Sequence, residues 1–499
     1  MSSSSTVESQ VGPAVSERIE AHVWRIAAVV ILGMIMSILD TTIVNVALRT
    51  LGTELHSSIA QIQWVVTGYL LSLAAVIPVT GWAARRFGAK RVYMTSLVLF
   101  TLGSVLCAIS TSTAALVFFR VLQGVGGGMI MPVAQLIMAQ VAGPRRMGRV
   151  MGVVAMPAML GPILGPVLGG AILQNLHWSW IFLVNVPIGV VAFLLGWRMI
   201  PHTESGRAGR LDVVGLLLLS TASTAVVYGL SQIGSSSSLT PPSVVVPLIA
   251  AMVLTGAFCW HALRVERPLL DVRLYANRIF AAASFTTFGL GAALFGAMIL
   301  VPYYYQEVRH ESLITTGLLV GPQGLGMLFA MPVAGRLTDR FGGGRVALFG
   351  VSTLCLTTVP LALVGASTSI LYISAVLLFR GVGIGFSFMP AMTAAFASLR
   401  PDQLSDATPQ LNVLQRIGGA IGTAVLAVVL QRTSGVAPSA SHLAGAFDTA
   451  YWWSLGIAFW ALIPCVVLLW AERGRARPAR TASSAERSEI AQPVEPLGA

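Results

Sequence analysis

The chain has 499 residues, of which 55% are hydrophobic and 10% charged, and its mean hydropathy is +0.80. Soluble domains carry about 25% charged residues, so this composition excludes an ordinary soluble enzyme and describes a polytopic membrane protein. The net charge of +12 is spread through short loops between apolar runs rather than gathered on a soluble face, which argues against a nucleic-acid partner.

Residues 1–23 are polar and Ser-rich, do not resemble a cleavable signal peptide, and read as a cytoplasmic N-terminal tail. Fourteen apolar segments follow, at about 24–48, 61–83, 92–110, 114–140, 150–173, 181–200, 213–231, 244–263, 280–303, 313–335, 346–366, 371–398, 412–431 and 452–471. Each is long enough to cross a bilayer core of about 30 Å. With both termini inside, the inner loops hold Arg85, Arg86, Lys90, Arg91, Arg145, Arg146, Arg149, Arg336, Arg340 and Arg345, among others. The outer loops hold only Arg49, Arg309 and Arg432, and Arg120 and Arg380 lie within spans. That asymmetry is the positive-inside pattern and fixes the count. From Arg473 the chain is polar and basic, and 472–499 is expected to be a disordered cytoplasmic tail.

The chain also repeats itself. Gly81-Trp-Ala-Ala-Arg-Arg-Phe-Gly88 after span 2 is echoed by Gly335-Arg-Leu-Thr-Asp-Arg-Phe-Gly342 after span 10. Phe119-Arg120 in span 4 is echoed by Phe379-Arg380 in span 12 at nearly the same offset. The expected organisation is therefore all-α: a six-helix bundle over 24–200, an inserted helix pair with its loops over 201–279, and a second six-helix bundle over 280–471. A site for a ligand is expected near mid-membrane where such halves meet.

Asp40 is the one carboxylate in the middle of a span. An intramembrane acid is costly unless paired or protonated, which makes it a functional candidate by default. The structural alternative is a packing Asp tied to the hydroxyl of Thr41 or Thr42. Counted at 1.5 Å per residue from opposite sides, Asp40 and Arg120 reach similar depth in the outer half. They are expected to be partners, directly or through water, with Asp40 carrying a proton and Arg120, which cannot release its own, tuning it. Residues Gly152 to Gly170 form an uncharged run with glycines at 152, 161, 165, 169 and 170. Gly161, Gly165 and Gly169 are four apart and make a smooth face for another helix, while Pro157, Pro162 and Pro166 each remove an amide donor.

The spacing Gly152, Gly161, Gly165-Pro166, Gly169-Gly170 resembles the antiporter motif of the major facilitator superfamily. Leu39-Asp40-Thr41-Thr42-Ile43-Val44-Asn45-Val46-Ala47-Leu48 and Trp178-Ser-Trp-Ile-Phe-Leu-Val-Asn185-Val-Pro187 are similar to signatures of its fourteen-span drug:proton antiporters of the EmrB/QacA type. Leu116-Val-Phe-Phe-Arg120-Val-Leu-Gln123-Gly124 resembles the facilitator span 4 motif, whose Arg is linked to proton transfer. The resemblance covers nearly all of 24–471. It implies the major facilitator fold and a proton-coupled exporter of lipophilic compounds in a bacterial cytoplasmic membrane, working as a monomer. A dedicated exporter of a natural product, siderophore or lipid on the same fold is the alternative. By the same resemblance Gly81, Arg85, Gly88, Asp339, Arg340, Arg380 and Arg416 are expected in gating, and Asn45, Gln123, Asn185, Gln323 and Asn412 along the substrate path.

Some positions depart from the family pattern. Arg85 stands where the family usually has an Asp that latches the inner gate, which leaves the latch of the first half open to question while Asp339 is intact. Arg49 replaces a common Pro and Ser179 a common Arg. Gln323 lies in a region where some relatives place an acid for dicationic drugs, so dications are expected to be poor substrates and monocationic, zwitterionic or neutral lipophiles better ones. Phe285, Phe288, Phe295 and Tyr303 are expected near the interface between halves, as an apolar lining that favours lipophilic cations or as packing and interfacial aromatics. Trp178, Trp180, Trp452 and Trp453 read as an outer belt.

No phosphate loop is present, since Gly124-Val-Gly126-Gly127-Gly128 lies within a span and no Lys follows it. Cys107, Cys259, Cys355 and Cys465 are far apart in apolar runs and lack metal-ligand spacing. No cofactor, metal or catalytic set is expected.

Overall fold

In the computed structural model, residues 19–490 are described apart from 144–145, 203–205, 207, 237–240, 366 and 435–439. Among the described residues thirteen helices are long and apolar enough to cross a membrane, and Met147–Asn175 is a further helix of 29 residues. In chain order they are α1 (Ala21–Glu54), α2 (Ala60–Phe87), α3 (Ala89–Ala108), α4 (Thr113–Ala142), α5 (Met147–Asn175), α6 (Trp180–Met199) and α7 (Val213–Ser236). Then come α8 (Pro242–Arg264), α9 (Arg278–Glu307), α10 (Leu313–Phe341), α11 (Gly343–Leu361), α12 (Ile370–Ala397), α13 (Leu404–Ser434) and α14 (Ala440–Ile490). Helices satisfy their own backbone groups, which a hydrocarbon core demands.

The repeat in the sequence is a repeat in packing. In the first half α1 packs on α5 and α6, α2 on α4, and α3 on α4 and α6. In the second half α9 packs on α13 and α14, α10 on α12, and α11 on α12 and α14. Every pair has its counterpart eight helices on. The halves join by the same logic, α5 against α10 and the end of α2 against α13. The inserted pair α7 and α8 packs on itself, and α7 touches α2 of one half and α13 of the other. Ser220 donates to the Ala75 carbonyl at 2.6 Å, where Pro78 breaks α2 with a 3-10 turn over Ile77–Val79.

Gly88 and Gly342, at matching places in the repeat, have φ of 86° and 89°. Both terminate one spanning helix and open the next in a left-handed conformation that only glycine adopts without strain. Helix α14 runs to Ile490, past the expected tail boundary at 472. Ala471 to Ile490 is rich in Ala, Arg and Glu, all good helix formers, and the Glu472 carboxylate accepts from the Gly343 and Gly344 amides at 3.1 and 2.8 Å.

Candidate functional site

Asp40 is fully buried in the first half, and four helices converge on it. Its Oδ2 accepts from Arg120 Nη1 of α4 at 2.6 Å. Its Oδ1 accepts from Gln123 Nε2 of α4 and Asn185 Nδ2 of α6, each at 3.0 Å. Both amides also donate to Ser104 Oγ of α3, at 2.6 and 3.2 Å. The contact between Asp40 and Arg120 is therefore direct. Thr41 and Thr42 hydroxyls donate to carbonyls of their own helix, at 3.0–3.1 Å, and do not hold Asp40.

Arg120 is held by more than Asp40. Nη1 also donates to Gln123 Oε1 at 2.8 Å, and Nε donates to the Val65 carbonyl at 3.1 Å. Its guanidinium carbon lies 4.1 Å from the centroid of the Tyr69 ring, a cation–π distance. Tyr69 is itself buried, with its hydroxyl 3.4 Å from Ser37 Oγ on α1. The cluster is a neutral pair wrapped by amides. Protonating the carboxylate would leave Arg120 a buried cation without its counter-charge, a loss that costs about 3–5 kcal/mol when one partner of such a pair is removed.

Gln123 and Asn185 thus belong to the Asp40 cluster instead of a substrate path; both are fully buried. The i to i+3 spacing from Arg120 to Gln123 was the available signal. Ser104 carried none. Asn45 lies exposed two turns beyond Ser37 on α1, and Gln323 is half-buried on α10.

The small-residue run of α5 meets two helices. A Cβ at Gly161 or Gly165 would strike Ile38 or Thr42 of α1, and one at Gly169 would touch Ile43 at 3.4 Å. Gly152 faces the other way, with a Cβ position 2.7 Å from the Met331 carbonyl of α10. Gly170 has nothing within 4 Å. The side chains of Pro157, Pro162 and Pro166 lie outside the described residues.

The halves are latched at the end that carries the α2–α3 and α10–α11 loops. Asp339, at the end of α10, accepts from the Gly148 and Arg149 amides of the first turn of α5, at 2.9 and 3.3 Å, and from Arg149 Nε at 3.3 Å. A carboxylate on a helix N-terminus is favoured by the helix dipole. At the matching place in the first half, Arg85 pairs with Asp406 in the first turn of α13 and donates to Ser405 Oγ at 3.1 Å. At the place that Arg85 left open to question an ion pair therefore joins the two halves, with its charges exchanged. Asp406 was the missed partner; in the sequence this span is expected to begin at about 412, whereas the helix starts at Leu404. Gly81 and Gly335 allow the approach, since a Cβ on either would meet the Ser405 or Gly148 carbonyl across the junction.

Several expected positions fall elsewhere. Asn412 bridges the halves, donating to Gln135 Oε1 of α4 at 2.7 Å and to the Thr408 carbonyl at 2.9 Å, so its amide is committed to the junction. Arg380 is buried in the second half's own core, donating to Thr358 Oγ1 at 2.6 Å, and does not reach the junction. Arg340 is exposed and lies over Phe341. Arg416, expected in gating, lies in the middle of the membrane-spanning α13. Phe285 and Phe288 face α14, not the other half. Phe288 meets Trp460 edge-on at 5.8 Å, and Phe285 lies in a groove with Trp460 and Trp470. Phe295 packs over Gly419 of α13, and Tyr303 lies 6.0 Å from Phe447 of α14. Trp178 is buried against Phe182, whereas Trp180, Trp452 and Trp453 are exposed as a belt would be.

Comparison with known proteins agrees with this geometry. The family model of the Major Facilitator Superfamily matches residues 30–423, and the chain belongs to that superfamily of transporters. The "Multidrug resistance protein B homolog" of Mycobacterium tuberculosis (strain H37Rv) is 40% identical over 417 residues, 83% of this chain and 77% of that protein. The "Multidrug export protein EmrB" of Haemophilus influenzae is 30% identical over 397 residues, 79% of this chain and 78% of its own length. Both relatives are named for multidrug resistance or export. Among solved structures, the human organic anion transporter MFSD10 (TETRAN) aligns with a TM-score of 0.62 at 17% identity, over 90% of this chain and all of that one. The proton:xylose symporter XylE aligns at 0.62 with 14% identity, over 89% of this chain and 94% of its own. At that identity the likeness is one of fold.

Proposed function

We propose that this protein is a proton-coupled exporter that expels lipophilic compounds bearing at most one positive charge, by alternating access in a bacterial cytoplasmic membrane. The observation that carries the reading is the fully buried Asp40 carboxylate, held by Arg120, Gln123 and Asn185. It is the only titratable carboxylate midway through a described span, and its protonation unbalances Arg120. Relief of that imbalance by movement of α1 against α4 is the step that links a proton to the exchange of states. The Gly161, Gly165 and Gly169 face of α5 is the surface along which α1 moves.

The loops at the latched end carry most of the arginines, so the positive-inside rule puts that end in the cytoplasm. The state shown is then closed inward, with Asp339 and the Arg85–Asp406 pair as the inner latch. The test is drug movement in inverted vesicles under an imposed proton gradient, with and without a protonophore. Wild type is expected to show gradient-dependent transport that Asp40→Asn abolishes. Gradient-driven transport in Asp40→Asn would move coupling to another residue.

A further inference from the structure

Three arginines lie in the interior of the described spanning helices, and two have local partners. Arg120 has Asp40, and Arg380 has the Thr358 hydroxyl within the second half's closed core. Arg416 has neither. Among the described residues its side chain has no hydrogen-bond partner and no carboxylate within ion-pair distance, although it sits at the middle of the Pro401–Thr433 span. Arginine keeps its charge under any physiological condition, so the cost of that placement is not relieved by losing a proton. An unmatched, permanent cation at this depth is a functional group by default.

Its position gives the function. Arg416 is one helical turn from Asn412, whose amide crosses to Gln135 of the first half. The same face of α13 therefore turns toward the opposite half, and Arg416 lies just past the junction, half-buried and within electrostatic reach of Tyr69. Tyr69 carries Arg120 on its ring. The order across the seam is Asp40, Arg120, Tyr69, Arg416, with the last one free.

We infer that Arg416 is the anchor for an anionic group on the transported molecule, so that the substrates are lipophilic anions or zwitterions carrying a carboxylate, sulfonate or phosphonate. The inference rests on the transport reading above and names its substrate class. A guanidinium offers two parallel donors that match such a group, and the interior has a net excess of positive charge for it to balance. At the seam one Asp, Asp40, against two Arg, Arg120 and Arg416, is the wrong sign for a site that selects cations. Exchange of a monoanion outward for a proton inward also moves two charges in the same sense per cycle, so an inside-negative potential drives it, whereas one-for-one exchange of a monocation is electroneutral.

The test uses the full chain in nanodiscs and two probes on one scaffold, anilinonaphthalene sulfonate and uncharged N-phenylnaphthylamine. Energy transfer from the protein's tryptophans reads binding above an empty-nanodisc control. Arg416→Gln is expected to weaken sulfonate binding at least tenfold more than neutral-probe binding, and Arg416→Lys to retain sulfonate binding within about threefold. Equal loss for both probes, or sulfonate binding unchanged by Arg416→Gln, overturns the proposal. Should Arg416→Gln not fold, wild type decides: naphthalene sulfonate is expected to displace the bound sulfonate probe and tetraphenylphosphonium not to, and the reverse overturns it. In vesicles, a lack of gradient-driven movement of any probe would refute proton antiport while leaving the binding result to judge Arg416.

Discussion

Arg85 and Asp406 are 321 residues apart in sequence and form an ion pair across the two halves, the charge-exchanged counterpart of Asp339 on the first turn of α5. Both contacts occur at the start of a helix, α13 in one case and α5 in the other, and both follow a glycine that brings backbones together. The exchange of sign predicts a specific pattern. Arg85→Asp sets two carboxylates against each other and should shift the balance toward the unlatched state by about 1–2 kcal/mol, or about tenfold. Asp406→Arg should do the same by opposing two cations. The double variant Arg85→Asp/Asp406→Arg should restore the latch. Distances between spin labels on the α6–α7 and α12–α13 loops measure it, and a double variant as open as the single ones would remove the pair from gating.

The Asp40 cluster predicts that stability and transport separate. Asp40→Asn leaves Arg120 buried without its anion and should destabilise the protein by about 3–5 kcal/mol. Asp40→Asn/Arg120→Gln removes both charges and should recover most of that, because residues in one network are not additive. Transport should stay lost in both. Thermal unfolding in detergent together with vesicle transport checks this; a double variant no more stable than Asp40→Asn would mean that the pair is not electrostatically coupled.

Much of this was legible because charges in apolar runs are conspicuous. Asp40, Arg120 and the repeated loop motif each stand out against their surroundings, and depth counting along two helices was enough to pair the first two. Amides gave no such direction. Gln123, Asn185 and Asn412 read the same in sequence whether they line a path or hold a neighbour, and only packing shows that they are committed. The aromatics of α9 failed for a related reason. The face that α9 presents to its neighbours is set by where Gly291 and Gly296 admit the backbone of α13 and Gly289 that of α14, which depends on helices more than a hundred residues away. Asp406 was hidden because its partner, Arg85, has the sign opposite to the family pattern.

Glycines of α5 should differ sharply in tolerance although they belong to one motif. A Cβ at Gly152 lies 2.7 Å from a backbone carbonyl that cannot rotate away, and one at Gly165 runs into Thr42. Alanine at either should cost about 1–3 kcal/mol through overpacking. Gly170 has open space around it, so Gly170→Ala should be neutral or up to about 1 kcal/mol stabilising through helix propensity. Thermal unfolding of the three variants is the measurement, and an equal loss at Gly170 would mean that the motif acts as a unit beyond its contacts.

Asp212 ties the two helices of the inserted pair to each other and gives their packing a pH dependence. Its carboxylate accepts from the Gly215 amide at 2.8 Å, from the Leu269 amide at 3.1 Å and from His261 Nε2 at 2.8 Å. Partial burial works against its charge, but those donors outweigh burial and hold the carboxyl below its ordinary value. The folded state therefore prefers the ionised form. The stabilisation is fully present above the ordinary Asp value of about 3.9 and is lost as pH falls through the lower, folded value. The protection factors of amides at the start of α7, which are corrected for the intrinsic pH dependence of exchange, should be unchanged from neutral pH down to about pH 5 and fall below about pH 4. Asp212→Asn should show the faster exchange already at pH 7, with a local loss of about 1.5–3 kcal/mol from hydrogen bonds to a charged acceptor. Exchange in Asp212→Asn that matches wild type at pH 7 would mean that the α7–α8 pair is held by its apolar contacts alone.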